Sequence, residues 1–157
     1  MAITLVALWM IGSAAPLGAA DSFRFDKEAD MFLHLYEGDK PVLTYVFGEN
    51  LKEGAPKNQR RSSYIHPVYG MDGEIVTDDF PRDHYHHRGI FWSWAQVTVD
   101  DKTYDPWTIG SRGMLKHFEK WLHLETTPEE ARLAVNNGWY VGEKKVVDER
   151  VEILVHH

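Results

Sequence analysis

Residues 29–47 read Ala-Asp-Met-Phe-Leu-His-Leu-Tyr-Glu, Gly-Asp, Lys-Pro-Val-Leu-Thr-Tyr-Val-Phe. Two runs rich in aromatic and β-branched residues flank Gly38-Asp39, a dipeptide suited to a tight turn, so Ala29 to Glu37 and Lys40 to Phe47 predict a β-hairpin. Ser63 to Tyr69 resumes extended character, with Pro67 confining it to an edge or a bulge. Gly70 to Gly73 reads as a turn, and Gly48 to Arg61 as a polar loop. Ile90 to Val99 is β-rich and places Ile90, Trp92 and Trp94 on one side at period two, a stripe whose bland reading is core. Lys144 to Val155 alternates, with Val147, Glu149, Val151, Ile153 and Val155 on one face. Two segments are ambiguous. Met114 to Glu125 fits a strand whose shared face would be Leu115, His117, Glu119 and Trp121, yet it also contains helix formers. Pro128 to Asn137 looks helical locally, although tertiary pairing overrides such propensities. Short, turn-punctuated, β-rich elements predict an all-β fold, an antiparallel β-sandwich.

The chain has 157 residues, 24 Asp+Glu against 17 Lys+Arg, and a formal charge of -7 with nine histidines neutral. The length suits one domain. The acidic balance argues against nucleic-acid partners, which need a basic face to displace counterions. The absence of cysteine removes disulfides, thiolate-ligated metals and thiol catalysis.

Met1 to Ala20 contains no charged side chain, and its apolar run Ile3 to Ile11 is followed by small residues up to Gly18-Ala19-Ala20. This reads as a secretory signal peptide, leaving 21–157 as a single domain and a secreted or periplasmic product. No later segment could span a membrane as a helix. The last residues, Val151 to His157, stop inside an apolar alternating run, which predicts a chain truncated at its C-terminal side.

Chemistry concentrates in Asp78-Asp79-Phe80-Pro81-Arg82-Asp83-His84-Tyr85-His86-His87-Arg88-Gly89, which holds three of the nine histidines and three carboxylates. Pro and Gly make it a structured loop rather than a regular strand. Imidazole is both the commonest metal ligand and the usual acid/base group near neutral pH. If extended, His84 and His86 point one way, and Asp83 and His87 the other. Candidate catalytic residues are His84, His86, His87, Asp83 and Arg88. Candidate ligand contacts are His66, Tyr85, Trp92 and Trp94, because flat rings beside polar groups suit sugars. Candidate metal ligands are His66, His84, His86 and His87. The cofactor expectation is therefore either none or one divalent metal bound by histidine. Arg88 has two readings: a bidentate clamp on a ligand anion, or a pair with Asp79 or Asp83 that orders the loop. Gly89 marks a backbone geometry that other residues resist. His34 and His123 read as structural. No metalloprotease, phosphate-loop, dinucleotide or serine-hydrolase motif is present.

His66-Pro67-Val68-Tyr69, Asp79-Phe80-Pro81 and Asp83-His84-Tyr85-His86-His87-Arg88-Gly89-Ile90-Phe91-Trp92 together resemble the secreted bacterial "methane oxygenase PmoA"-like family. The similarity covers Ser62 to Val97 well and Met114 to Val155 more loosely. It implies an antiparallel β-sandwich related to mutarotase-like sandwiches, in a protein longer than this chain. The motif positions are His66, Asp83, His84, His86, His87, Arg88 and Gly89. The family label implies a copper- or iron-dependent oxygenase. The resemblance does not extend to the multi-span membrane subunit of methane monooxygenase, since this chain has no spanning segment after residue 20. The sequence thus leaves three functions open. The first is a carbohydrate-active or carbohydrate-binding protein, for which the partner is a sugar or other small polar ligand. The others are a Cu-, Fe- or Zn-dependent oxidoreductase and a non-catalytic extracellular interaction module.

Overall fold

The computed structural model describes residues 22–108 and 113–157. The expected signal peptide, 1–20, lies outside the described residues. Among the described residues nine strands form: β1 (Phe23–Glu28), β2 (Phe32–Glu37), β3 (Lys40–Val46), β4 (Tyr64–Val68), β5 (Val97–Val99), β6 (Lys102–Tyr104), β7 (Met114–Thr126), β8 (Glu130–Val141) and β9 (Lys144–His156). All strand pairs are antiparallel, in sheets ordered β1-β2-β3-β4, β5-β6 and β7-β8-β9. One 3-10 turn, Lys57–Gln59, lies in the long loop before β4. No helix among the described residues is long and apolar enough to cross a membrane.

The predicted hairpin is β2–β3, closed by Glu37 opposite Lys40 with Gly38 at positive φ. Its inward residues bury against the three-stranded sheet. Leu33, Tyr45 and Phe47 meet Leu133 and Val135, with Phe118, Trp121, Val151 and Ile153 around them. Phe23, Leu35 and Leu43 meet Ala131 in a second cluster. Two sheets that each have an apolar face stack because burying those faces removes most of the chain's apolar surface from water. The fold is an all-β sandwich of antiparallel sheets, as the patterning predicts. Strand β4 is the edge that holds Pro67, and the inward face of β9 is the predicted Val147, Glu149, Val151, Ile153, Val155 series.

Four local expectations change. The locally helical Pro128 to Asn137 lies mostly in β8, the centre of the second sheet, where Ala131, Leu133 and Val135 are buried between β7 and β9. Ladder bonds on both sides outweigh the helix propensity of Glu, Ala and Leu. Met114 to Glu125 takes the strand alternative, but its predicted common face is broken. A bulge between Phe118 and Lys120 lets both Phe118 and Trp121 face the core while Leu115 stays exposed. In Ile90 to Val99 only Ile90 and β5 pair with other strands. Ile90, Trp92 and Trp94 are all exposed rather than core, in a stretch with no regular strand between Ile90 and β5. Finally, β1 is a strand that the patterning does not predict.

Candidate functional site

The segment 78–89 folds back on itself as an irregular hairpin. Asp79 bridges Arg88, Gly89 N donates to Asp78 O at 2.8 Å, and Phe80 N donates to His87 O at 3.3 Å. Its tip is two successive turns, with His84 N donating to Pro81 O at 3.0 Å and His87 N to His84 O at 2.9 Å. The tip is therefore not extended, and the alternation expected for His84, His86 and His87 does not hold. The three rings gather instead. His84 stacks on His87 with centroids 5.0 Å apart, and His86 stands edge-on to His87 at 4.4 Å and to His84 at 5.6 Å. The Asp83 carboxylate lies 3.0 Å from His84 Nδ1. A backbone N–H and His84 hold the exposed Asp83 below the usual carboxylate range. Burial, followed by the neighbouring His87 and His84, pushes His86 below the ordinary imidazole value. Tyr85 is half-buried in the same turn.

Arg88 takes the loop-ordering role. It is completely buried, with its guanidinium 3.1 Å above the centroid of Phe80 and 3.7 Å from Asp79 Oδ1. It donates to the carbonyls of Gln59 and His87. Asp79 in turn accepts from Tyr64 OH at 3.0 Å, and Tyr64 OH accepts from Asn50 at 2.8 Å. Burial raises the Asp79 pKa above the usual carboxylate range even with Arg88 opposing it. Gly89, at φ +39°, packs so closely on β4 that a Cβ would collide with Ile65 O, which confirms its predicted backbone role.

After Gly89 the chain bonds to β4 through Ile90 and Ile65, and then presents an aromatic ridge. Phe91 packs against Trp107 at 5.0 Å, and Trp107 approaches His87 at 6.4 Å. Trp92 and Trp94 are 60% and 45% exposed, with ring centroids 6.1 Å apart. Trp94 also leans on the buried Trp139 of β8 at 5.0 Å. Beside the ridge, a groove of about 470 Å³ is lined by Lys57, Arg60, Arg61, Lys116 and His117, and by Glu49, which lies 3.6 Å from Arg60 and 3.3 Å from His117. Arg60, Arg61, Leu115 and Lys116 also border a smaller cavity walled by Trp92 and Trp139.

His66 is elsewhere. It sits on β4, 2.9 Å from the Thr77 hydroxyl, in a cleft of about 300 Å³ shared with Glu28, His34, Tyr36, Tyr69 and Asp79. The structure therefore brings together His84, His86, His87, Asp83 and Tyr85 in one turn approached by Trp107, but places His66 apart and buries Arg88. No three His, Cys, Asp or Glu side chains among the described residues are placed to hold a metal ion. Arg61 carries no sequence signal of its own, because the contacts around it are distant in the chain: Phe91 under its guanidinium, and Pro106 and Trp107, 45 and 46 residues away.

An antiparallel β-sandwich with a buried-arginine loop carrying a histidine cluster defines the class of protein. Residues 33–157 match a family of unknown function, DUF6807, and the chain belongs to that family. No curated protein matches it. No solved structure matches it.

Proposed function

We propose that the chain is a carbohydrate-binding, secreted protein of the PmoA-like type, with the ridge as its sugar platform. The supporting observation is the exposure of Trp92 and Trp94. Indole rings are normally buried for the apolar area they remove from water, and holding two in solvent beside polar side chains suits a ligand with an apolar face and hydroxyl edges. The His84, His86 and His87 cluster, with Asp83 and Tyr85, supplies further donors and acceptors, approached by Trp107, which packs on Phe91 next to Trp92. The lowered pKa leaves His86 neutral near pH 7, so it can accept a proton from a sugar hydroxyl if the protein is catalytic. The metal-dependent reading gains no comparable support, since His66 is in a different cleft and no three donors among the described residues converge.

Affinity electrophoresis of the chain against soluble plant and algal polysaccharides tests the proposal. Trp92→Ala with Trp94→Ala should weaken retardation by a retained polysaccharide about tenfold or more, the usual consequence of removing aromatic anchors. Equal retardation of wild type and the double variant would remove the platform. If His84→Ala and His86→Ala also leave binding and turnover unchanged, the histidine loop is structural and the protein is a non-catalytic module.

A further inference from the structure

We propose that the bound sugar is acidic, and that its oxyanion, a carboxylate or a sulfate ester, lies against Arg61 in the groove beside Trp92. This rests on the carbohydrate reading and specifies its ligand. Arg61 is only 7% exposed. Its Nη2 is spent on two main-chain carbonyls, Pro106 O at 2.9 Å and Trp107 O at 2.7 Å. Its Nη1 is buried and has no hydrogen-bond partner among the described residues. The guanidinium lies over Phe91, 4.4 Å from the ring centroid, which holds it in one orientation.

The contrast with its neighbours is electrostatic. Arg88 has Asp79 at 3.7 Å, Lys116 has Glu149 at 3.3 Å, and Arg60 has Glu49 at 3.6 Å. Arg61 has no carboxylate within ion-pair distance among the described residues, and the positive charge of Arg88 acts on it. Burial and that repulsion, offset only in part by Tyr64, Asp105 and Asp79, bring its pKa down to about 9, so it is still charged at neutral pH. A buried cation with no ion pair is costly, and an anion docking beside a fixed guanidinium relieves that cost. Lys57, Arg60 and Lys116 line the same groove, against a single lining carboxylate, Glu49. Such a cluster of cations stands out in a chain of net charge -7. Trp92 and Arg61 both border the adjoining cavity of about 20 Å³, room for no more than a water, so the oxyanion belongs in the larger groove with the indole next to it.

The test is calorimetric titration of the wild-type chain with an oligogalacturonide, its fully methyl-esterified form, a sulfated galactan oligosaccharide and inorganic phosphate. The acid or the sulfate ester should bind at least tenfold more tightly than the neutral ester. Arg61→Gln should abolish that preference, with Arg61→Lys restoring part of it, while Trp92→Ala should weaken acidic and neutral sugars alike. Equal wild-type affinity for the acid, the sulfate ester and the methyl ester overturns the acidic-ligand proposal and leaves carbohydrate binding standing. Binding of phosphate with no binding of any of the sugars overturns both. Because the acid-to-ester ratio is measured on the wild type, the proposal stands or falls even if an Arg61 variant folds poorly.

Discussion

Two buried arginines, Arg61 and Arg88, lie close enough for the charge of Arg88 to weaken the hold of Arg61 on its proton, yet their surroundings differ. Arg88 is enclosed by Phe80, Asp79 and two carbonyls and fixes a loop. Each leaves one buried nitrogen without a hydrogen-bond partner, Nη1 of Arg61 and Nε of Arg88, but it is Arg61 that lines the groove and has no ion pair among the described residues. Its charge also bears on His86, where it adds to burial and the two neighbouring rings in disfavouring the imidazolium. His86 should therefore titrate below the ordinary 6.5, as read by two-dimensional NMR of the imidazole resonances, and His87→Ala should move its midpoint upward. The same shift links to stability. As pH falls through 6.5 the unfolded chain takes up a proton at His86 before the folded chain does, so this contribution is full above 6.5 and fades as pH falls through the folded value. Thermal unfolding compared at about pH 7.5 and about pH 5.5 should show a smaller drop for His86→Gln than for wild type. An equal drop would mean that other groups govern the acid response.

At the scale of elements, the loop 78–89 depends on how closely it approaches β4. Gly89 at φ +39° leaves no room for a side chain against Ile65 O, and the Ile65–Ile90 bonds follow directly. Gly89→Ala should cost about 1–3 kcal/mol in urea unfolding, the range for backbone forced into a disfavoured region. It should also return the His86 titration toward its ordinary value by loosening the turn. A variant that keeps both stability and titration would show that the strand contact does not hold the cluster. The strands themselves differ in how plainly the sequence announces them. Strand β9 alternates because only one of its faces is buried, and that pattern is visible in Val147, Val151, Ile153 and Val155. Strand β8 is central and has Leu133, Ala134 and Val135 buried in succession, so period two disappears and helix propensity misleads.

For the whole molecule, hairpin chemistry and alternation were enough to specify the sandwich, and residue types alone pointed to the histidine loop. The remainder depends on contacts between distant segments. The stacked arrangement of His84, His86 and His87 comes from two turns that extended-strand logic cannot foresee, and the separation of His66 from them follows from its position on β4. The Arg60-Arg61 pair has the look of ordinary loop charge in the sequence, and contacts with the distant Phe91, Pro106 and Trp107 set Arg61 apart. Ile90, Trp92 and Trp94, whose spacing suggests a core face, are exposed, because sequence period groups residues and does not fix whether their face meets the core.

The paired indoles at 92 and 94 have an optical consequence. With centroids 6.1 Å apart and planes at 76°, their electronic transitions are near neighbours and non-parallel, the condition for exciton coupling. The native chain should show a positive–negative couplet in far-ultraviolet circular dichroism, superimposed on the β-sheet spectrum. Trp94→Phe, which also removes the pairing with Trp139 at 5.0 Å, should erase it, and Trp92→Phe should change its amplitude, whereas Trp121→Phe, in the core beside Phe47 and Phe118, should leave it intact. A couplet that survives Trp94→Phe would assign the signal to another pair. One that vanishes as described would give the ridge a chromophore of its own, able to report occupancy without a label.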